Sequence, residues 1–161
     1  MTDAPRPGPQ RKADVLAKLK ESLADVWVAS ASAGANAAGA EAAGAKAALV
    51  PLSLAWDGTR VIVATPATTV TARNILASRE ARLAVGPTRD VVMIDAALDD
   101  AIAASDAPPS LAERYAAQAG WDPRATGDSV YLTLRPVRIQ AWREANEIAG
   151  RTIMRDGVWL F

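Results

Sequence analysis

A mainly β, antiparallel barrel with two to four flanking helices is the fold that this sequence predicts, on three observations. Asp57-Gly58 separates two apolar, alternating runs, LVPLSLAW and VIVATP, which is the strongest short-range sign of a β-hairpin. The run from Val130 to Trp142 changes phase, with Val130, Leu132 and Leu134 in one alternation and Val137, Ile139 and Ala141 in the other. One residue inserted at Arg135-Pro136 makes such a bulge, and strands that bend this way are common in closed barrels. Several strands, few helices and few βαβ crossovers complete the pattern.

Taken in order, residues 1–11 are rich in Pro and read as a flexible tail, with one domain over 12–161. From Lys12 to Asp25, Val15, Leu16, Leu19 and Leu23 fall at helical spacing, with Val26 after them, so an amphipathic helix covers the core there. Trp27–Ser30 reads as a strand. Three tandem pentads of the form Gly-Ala-x-Ala-Ala follow from Gly34. A Gly in every pentad costs helix about 1 kcal/mol each time, and no large apolar side chain is available to dock. Residues 31–48 are therefore expected to be an Ala/Gly-rich loop insertion without function of its own.

In the first hairpin strand, Val50, Leu52, Leu54 and Trp56 share one face, and Leu49, Pro51, Ser53 and Ala55 share the other. Pro51 cannot donate to a ladder, so it marks an edge or an interruption. A second helix opens at Thr68-Thr69. Ala81–Gly86 is a strand, Pro87–Asp90 a turn, and Val91–Leu98 an apolar strand. Ser110 and Glu113 form a capping-box pattern, Gly120 sits where a C-terminal cap belongs, and Trp121 is placed to fold back on that turn. A closing hairpin turns at Asp156-Gly157.

Composition narrows the function. The formal net charge is zero, so there is no global field for nucleic acid or an anionic membrane. With no apolar run of membrane-spanning length and no signal-peptide core, a soluble, cytoplasmic protein is expected. The chain has no Cys and no His, which removes thiol nucleophiles, His-based triads and the usual zinc ligands. No metal site is expected either, because no Asp-x-Asp-x-Asp-Gly pattern occurs. An enzyme of this composition draws its hard chemistry from a bound cofactor.

The start of the second helix is where such a cofactor would be held. Arg73 follows Thr69 by one helical turn, and free N–H groups, hydroxyls and a guanidinium together suit a phosphate. The alternative is that the threonines only cap the helix and Arg73 only faces solvent. No side chain stands out as a general acid or base, so the catalytic residue and the small-molecule substrate are unknown at this point.

The strand LVPLSLAWDG, the run VIVATPATTVTARNI, the turn GPTRDVV and the late QAWRE resemble the pyridoxamine 5′-phosphate oxidase-like family of split β-barrel flavoproteins, in its small actinobacterial form. The resemblance implies a homodimer with FMN, or alternatively the deazaflavin F420, in a groove between subunits, and an oxidoreductase that moves a hydride through it. A flavin-binding protein without turnover is a further alternative. By resemblance the ring lies against Val50, Pro51, Leu52 and Ser53, with Ala64 and Thr65 beside it. The phosphate lies by Thr69, Thr71, Arg73 and Asn74, and Trp142 and Arg143 come from the other subunit. Two departures stand out. The pentads replace a short turn, and the side chains that bind pyridoxal phosphate in true pyridoxamine-phosphate oxidases are not recognisable. F420, with its acidic tail, also needs a basic groove, for which Arg60, Arg79, Arg82 and Arg89 are the candidates.

Overall fold

Six strands close into an antiparallel barrel in the computed structural model, which describes residues 4–32 and 46–161. They are β1 (Asp25–Ala31), β2 (Ala47–Trp56), β3 (Val61–Pro66), β4 (Glu80–Val85), β5 (Val91–Ala103) and β6 (Ser129–Trp142). Their order is β3-β2-β1-β4-β5-β6, and a β3–β6 ladder shuts the ring. The short strands β7 (Thr152–Arg155) and β8 (Val158–Trp159) continue the sheet beyond β6. Among the described residues three α-helices flank the barrel: α1 (Gly8–Lys20), α2 (Val70–Ser78) and α3 (Pro109–Ala119).

The hairpin at Asp57-Gly58 forms as the sequence predicts. Asp57 Oδ1 accepts from the Thr59 and Arg60 N–H groups, and Gly58 takes a φ of 105° that a side chain would resist. The irregularity in β6 is also present, one residue later than expected: Asp95 pairs with Arg138 and Ala96 with Pro136, so Val137 is the extra residue. The bend lets the first half of β6 close on β3 while its second half carries β7.

The barrel is filled by inward residues such as Val28, Leu54, Val63, Ile75, Leu83, Ile94, Leu132 and Ile139, all fully buried. A second, smaller core lies outside the barrel wall under α3, where Ala55, Ile62, Ala64 and Tyr131 meet Ala112, Tyr115 and Ala119. The helix ends at Gly120 in the left-handed region, and Trp121 packs edge-on against Tyr115 at 5.9 Å, as expected. The capping box at Ser110 does not form. Pro109, with its φ preset for helix, begins the helix one residue earlier and leaves Ser110 inside the first turn.

The N-terminal reading needs correction. The helix runs Gly8–Lys20 rather than Lys12–Asp25, because Pro7 and Pro9 are tolerated at and before its first turn. Leu23 is exposed with a φ of 58°, and Val26 and Val28 alternate inward as part of β1 instead of extending the helix. Residues 6–11 are therefore not a flexible tail. Arg6 and Arg11 both bond across to the 147–150 region, and Arg11 is buried. Of the expected 31–48 insertion, Ala31 belongs to β1 and Ala47–Ala48 to β2. Most of the pentads lie outside the described residues.

Candidate functional site

Strand β2 has two halves. Residues Leu54–Trp56 pair with β3, whereas 47–53 pair only with β1 and leave the other edge without a strand partner among the described residues. The Leu54 N–H donates to Ala24 O on the β1 side, and alternation then turns residue 51 away from β1. Pro51 thus occupies a ladder position that needs no donor, as its sequence position implied. Pro51 is exposed beside Trp27, its cross-strand neighbour, while Val50, Leu52 and Ser53 are half-buried. Ser53 O accepts a hydrogen bond from the Tyr115 hydroxyl at 3.2 Å. Burial raises the Tyr115 phenol above its usual range, so this group acts as a neutral donor.

At the far end of β3 the chain turns into α2. Thr69 is the N-cap: its Oγ1 accepts from the Ala72 N–H at 3.1 Å and donates to Pro66 O at 3.0 Å. Thr65 is buried and its hydroxyl lies 3.3 Å from that of Thr69, which ties strand to helix. The Val70 and Thr71 N–H groups, one residue and two into the helix, have no partner among the described residues. Asn74 is buried, and its amide nitrogen donates to Lys46 O at 2.8 Å and reaches Ser30 at 3.4 Å, binding α2 to the ends of β1 and β2. Arg73 differs from all of these. It is exposed, and its guanidinium has no hydrogen bond or ion pair among the described residues.

The structure therefore groups Thr65, Thr69, Thr71, Arg73 and Asn74 at one corner, joined through Asn74 and Lys46 to the start of β2. Ala64 does not face that corner; it is buried in the core under α3. Trp142 and Arg143 are also elsewhere. Pro66 pairs with Ser129 at the start of β6, while Trp142 is the last residue of that strand, about 40 Å of extended chain away.

Trp142 pairs with Val91 and lies under the Arg151 guanidinium. Arg143 joins a charged cluster that no local sequence signal announced. Arg6 binds Glu147 and Asp14 at 2.7 and 2.6 Å, Lys18 binds Asp90 at 2.7 Å, and Arg143 lies 3.3 Å from Asp90. The Arg6 hydrogen bonds hold the Glu147 carboxyl down at about 2 despite its burial. Burial opposes ionisation of Asp14 and Asp90, yet their cationic partners keep both below the usual carboxylate range.

The four arginines expected to form a basic groove are each engaged. Arg60 pairs with Asp57, Arg82 with Asp95 and Arg89 with Glu144, and Arg79 donates to Leu98 O. On the outer face of the barrel a groove of about 880 Å³ has an apolar floor that includes Ala29, Ala47, Leu49, Ala97 and Val137, edged by Arg79 and Arg82. Among the described residues no cluster of acidic side chains is arranged to hold a metal ion, and no helix is long and apolar enough to cross a membrane.

No family model matches the sequence, and no curated protein matches it. Solved structures do match in shape. An F420 reductase superposes with a TM-score of 0.57 at 14% identity, covering 76% of this chain and 94% of that one. A Listeria innocua protein assigned provisionally as a pyridoxamine 5′-phosphate oxidase gives 0.54 at 12% identity, covering 83% and 98%. A heme-binding protein from Mycobacterium smegmatis gives 0.59 at 17% identity, covering 94% of this chain and 59% of that one. The fold is the split β-barrel. Likeness at this level of identity shows the fold alone.

Proposed function

We propose that this protein is a split-barrel oxidoreductase that binds FMN between two copies of the chain. The observation that carries the reading is Arg73: a guanidinium in the first turn of α2 that has no partner among the described residues, next to the Val70 and Thr71 N–H groups, for which the same holds. A phosphate placed there gains a charge-assisted hydrogen bond, backbone donors and the positive end of the helix dipole. The edge of β2 at Val50–Ser53, which has no strand partner among the described residues and carries Pro51, suits a flat ring close to the backbone. Thr69 and Asn74 contribute by shaping the corner, since their polar groups are already engaged. When bound, a flavin supplies hydride transfer; the chain's part is to bind the phosphate, orient the ring and limit water.

A second copy is required in this reading because Trp142 and Arg143 lie too far along β6 to complete the site of their own chain. The apolar outer face around Trp27, Leu49 and the alanine floor is the surface that a partner would cover. F420 is the alternative cofactor, as one structural neighbour is named for it. FMN is favoured because the arginines proposed for an acidic tail are all engaged elsewhere. Haem has less support: the chain lacks His and Cys, and both tyrosines are fully buried beside α3. Fluorescence titration of the protein with FMN and with F420 tests the proposal. Micromolar or tighter binding of FMN is expected, and failure of both cofactors to bind would overturn it.

A further inference from the structure

Strands β2 and β3 part at a point that their register locates. Leu54 pairs with Val63 and Ala55 with Ile62, so Ser53 stands opposite Ala64, yet the ladder stops before that pair. The Leu54 N–H points to β1, and alternation turns the Ser53 carbonyl and the Ala64 N–H towards each other across the gap. The Tyr115 hydroxyl, brought in by α3, lies between them. It donates to Ser53 O at 3.2 Å, and its oxygen accepts from the Ala64 backbone and from Trp121. The ring is fully buried and packs edge-on against Tyr131 at 5.4 Å and Trp121 at 5.9 Å. At the other end of the parted segment, β2 is tied to α2 where Asn74 donates to Lys46 O.

We propose that Tyr115 is a positioning residue: its hydroxyl replaces a ladder bond between Ser53 and Ala64, holds β2 off β3, and so keeps the Val50–Ser53 edge open to a ligand ring. The opening follows from the strand geometry, whereas the entry of a flavin ring rests on the proposed function. A hydroxyl suits this place because it both donates and accepts, so neither backbone group is left unpaired where the ladder ends. A tyrosine that merely filled the core under α3 would affect stability and leave the edge as it is.

The test compares Tyr115→Phe with Ala112→Gly on the full chain, with unfolding midpoints recorded for both. Ala112 is buried in the same cluster, and its replacement weakens α3 while keeping the hydroxyl. In ligand-free protein, Tyr115→Phe should speed amide exchange at Ala64 about tenfold relative to Ile62, whose pairing with Ala55 is intact. Ala112→Gly should leave that ratio unchanged. Riboflavin, which offers the ring without the phosphate, should bind Tyr115→Phe about three- to tenfold more weakly, and FMN should lose the same factor. Ala112→Gly should bind both as the parent does. An unchanged Ala64 ratio would overturn the wedge whatever the ligand does. A faster Ala64 amide with unchanged riboflavin affinity would overturn the positioning role and leave Tyr115 a spacer between strands. A parent protein that binds neither flavin would overturn the proposed function and the ring with it, and the exchange ratio would still decide whether Tyr115 opens the edge.

Discussion

Arg73 and Glu147 show how neighbours decide what an ionised side chain does. Arg73 has open donors beside it and no acid among the described residues, so its charge is available to a ligand. Arg73→Ala should remove one or two charge-assisted hydrogen bonds of about 1.5–3 kcal/mol each. FMN affinity should then fall roughly tenfold to a few hundredfold, while riboflavin, which lacks the phosphate, should bind almost as before. Equal losses for both ligands would point to damage to the fold. Glu147 is the opposite case, spent entirely on the protein itself. Its carboxyl sits at about 2 in the folded chain, against an ordinary 4.5, chiefly because of the Arg6 hydrogen bonds. The folded state therefore binds fewer protons than the unfolded chain between these values. Its contribution to stability is complete above about pH 4.5 and disappears as the pH falls towards 2. Urea unfolding from pH 6 to pH 2 should show that decline, and Glu147→Gln should make it shallower, with the lowered Asp14, Asp57, Asp90 and Asp95 carboxyls accounting for what remains.

Helix ends and strand bends were legible where a single local rule governs them. Asp57-Gly58 makes its hairpin, Gly120 ends α3, and the phase change in β6 marks a real bulge. The bulge fell one residue late because alternation locates a shift only to within its flanking residues. The limits of α1 were misread because Leu23 and Val26 fit a helical period as well as a strand that buries Val26 and Val28. The start of α2 reads in sequence either as a cap alone or as a cap beside a site; Thr69 does cap the helix, and Arg73 is exposed. Thr69→Ala should cost about 1 kcal/mol of stability through loss of the cap. Thermal unfolding would register that change, and a cost near zero would mean that the Ala72 bond contributes nothing.

At the scale of the whole molecule, the fold class came from patterns within short stretches, whereas the charged cluster joins residues 141 apart in sequence. Nothing near Arg6 announces Glu147, which is why the N-terminal segment read as a tail. The same scale governs the proposed site: β6 separates its own Trp142-Arg143 from the α2 corner, so in the proposed reading two chains share it. The most direct measurement is light scattering in line with absorbance on protein loaded with FMN and freed of excess by gel filtration. A particle of about twice the 16.8 kDa chain mass should carry the flavin spectrum at close to one FMN per chain. A flavin-bearing monomer would contradict the shared site, and a protein peak without flavin absorbance would contradict the cofactor itself.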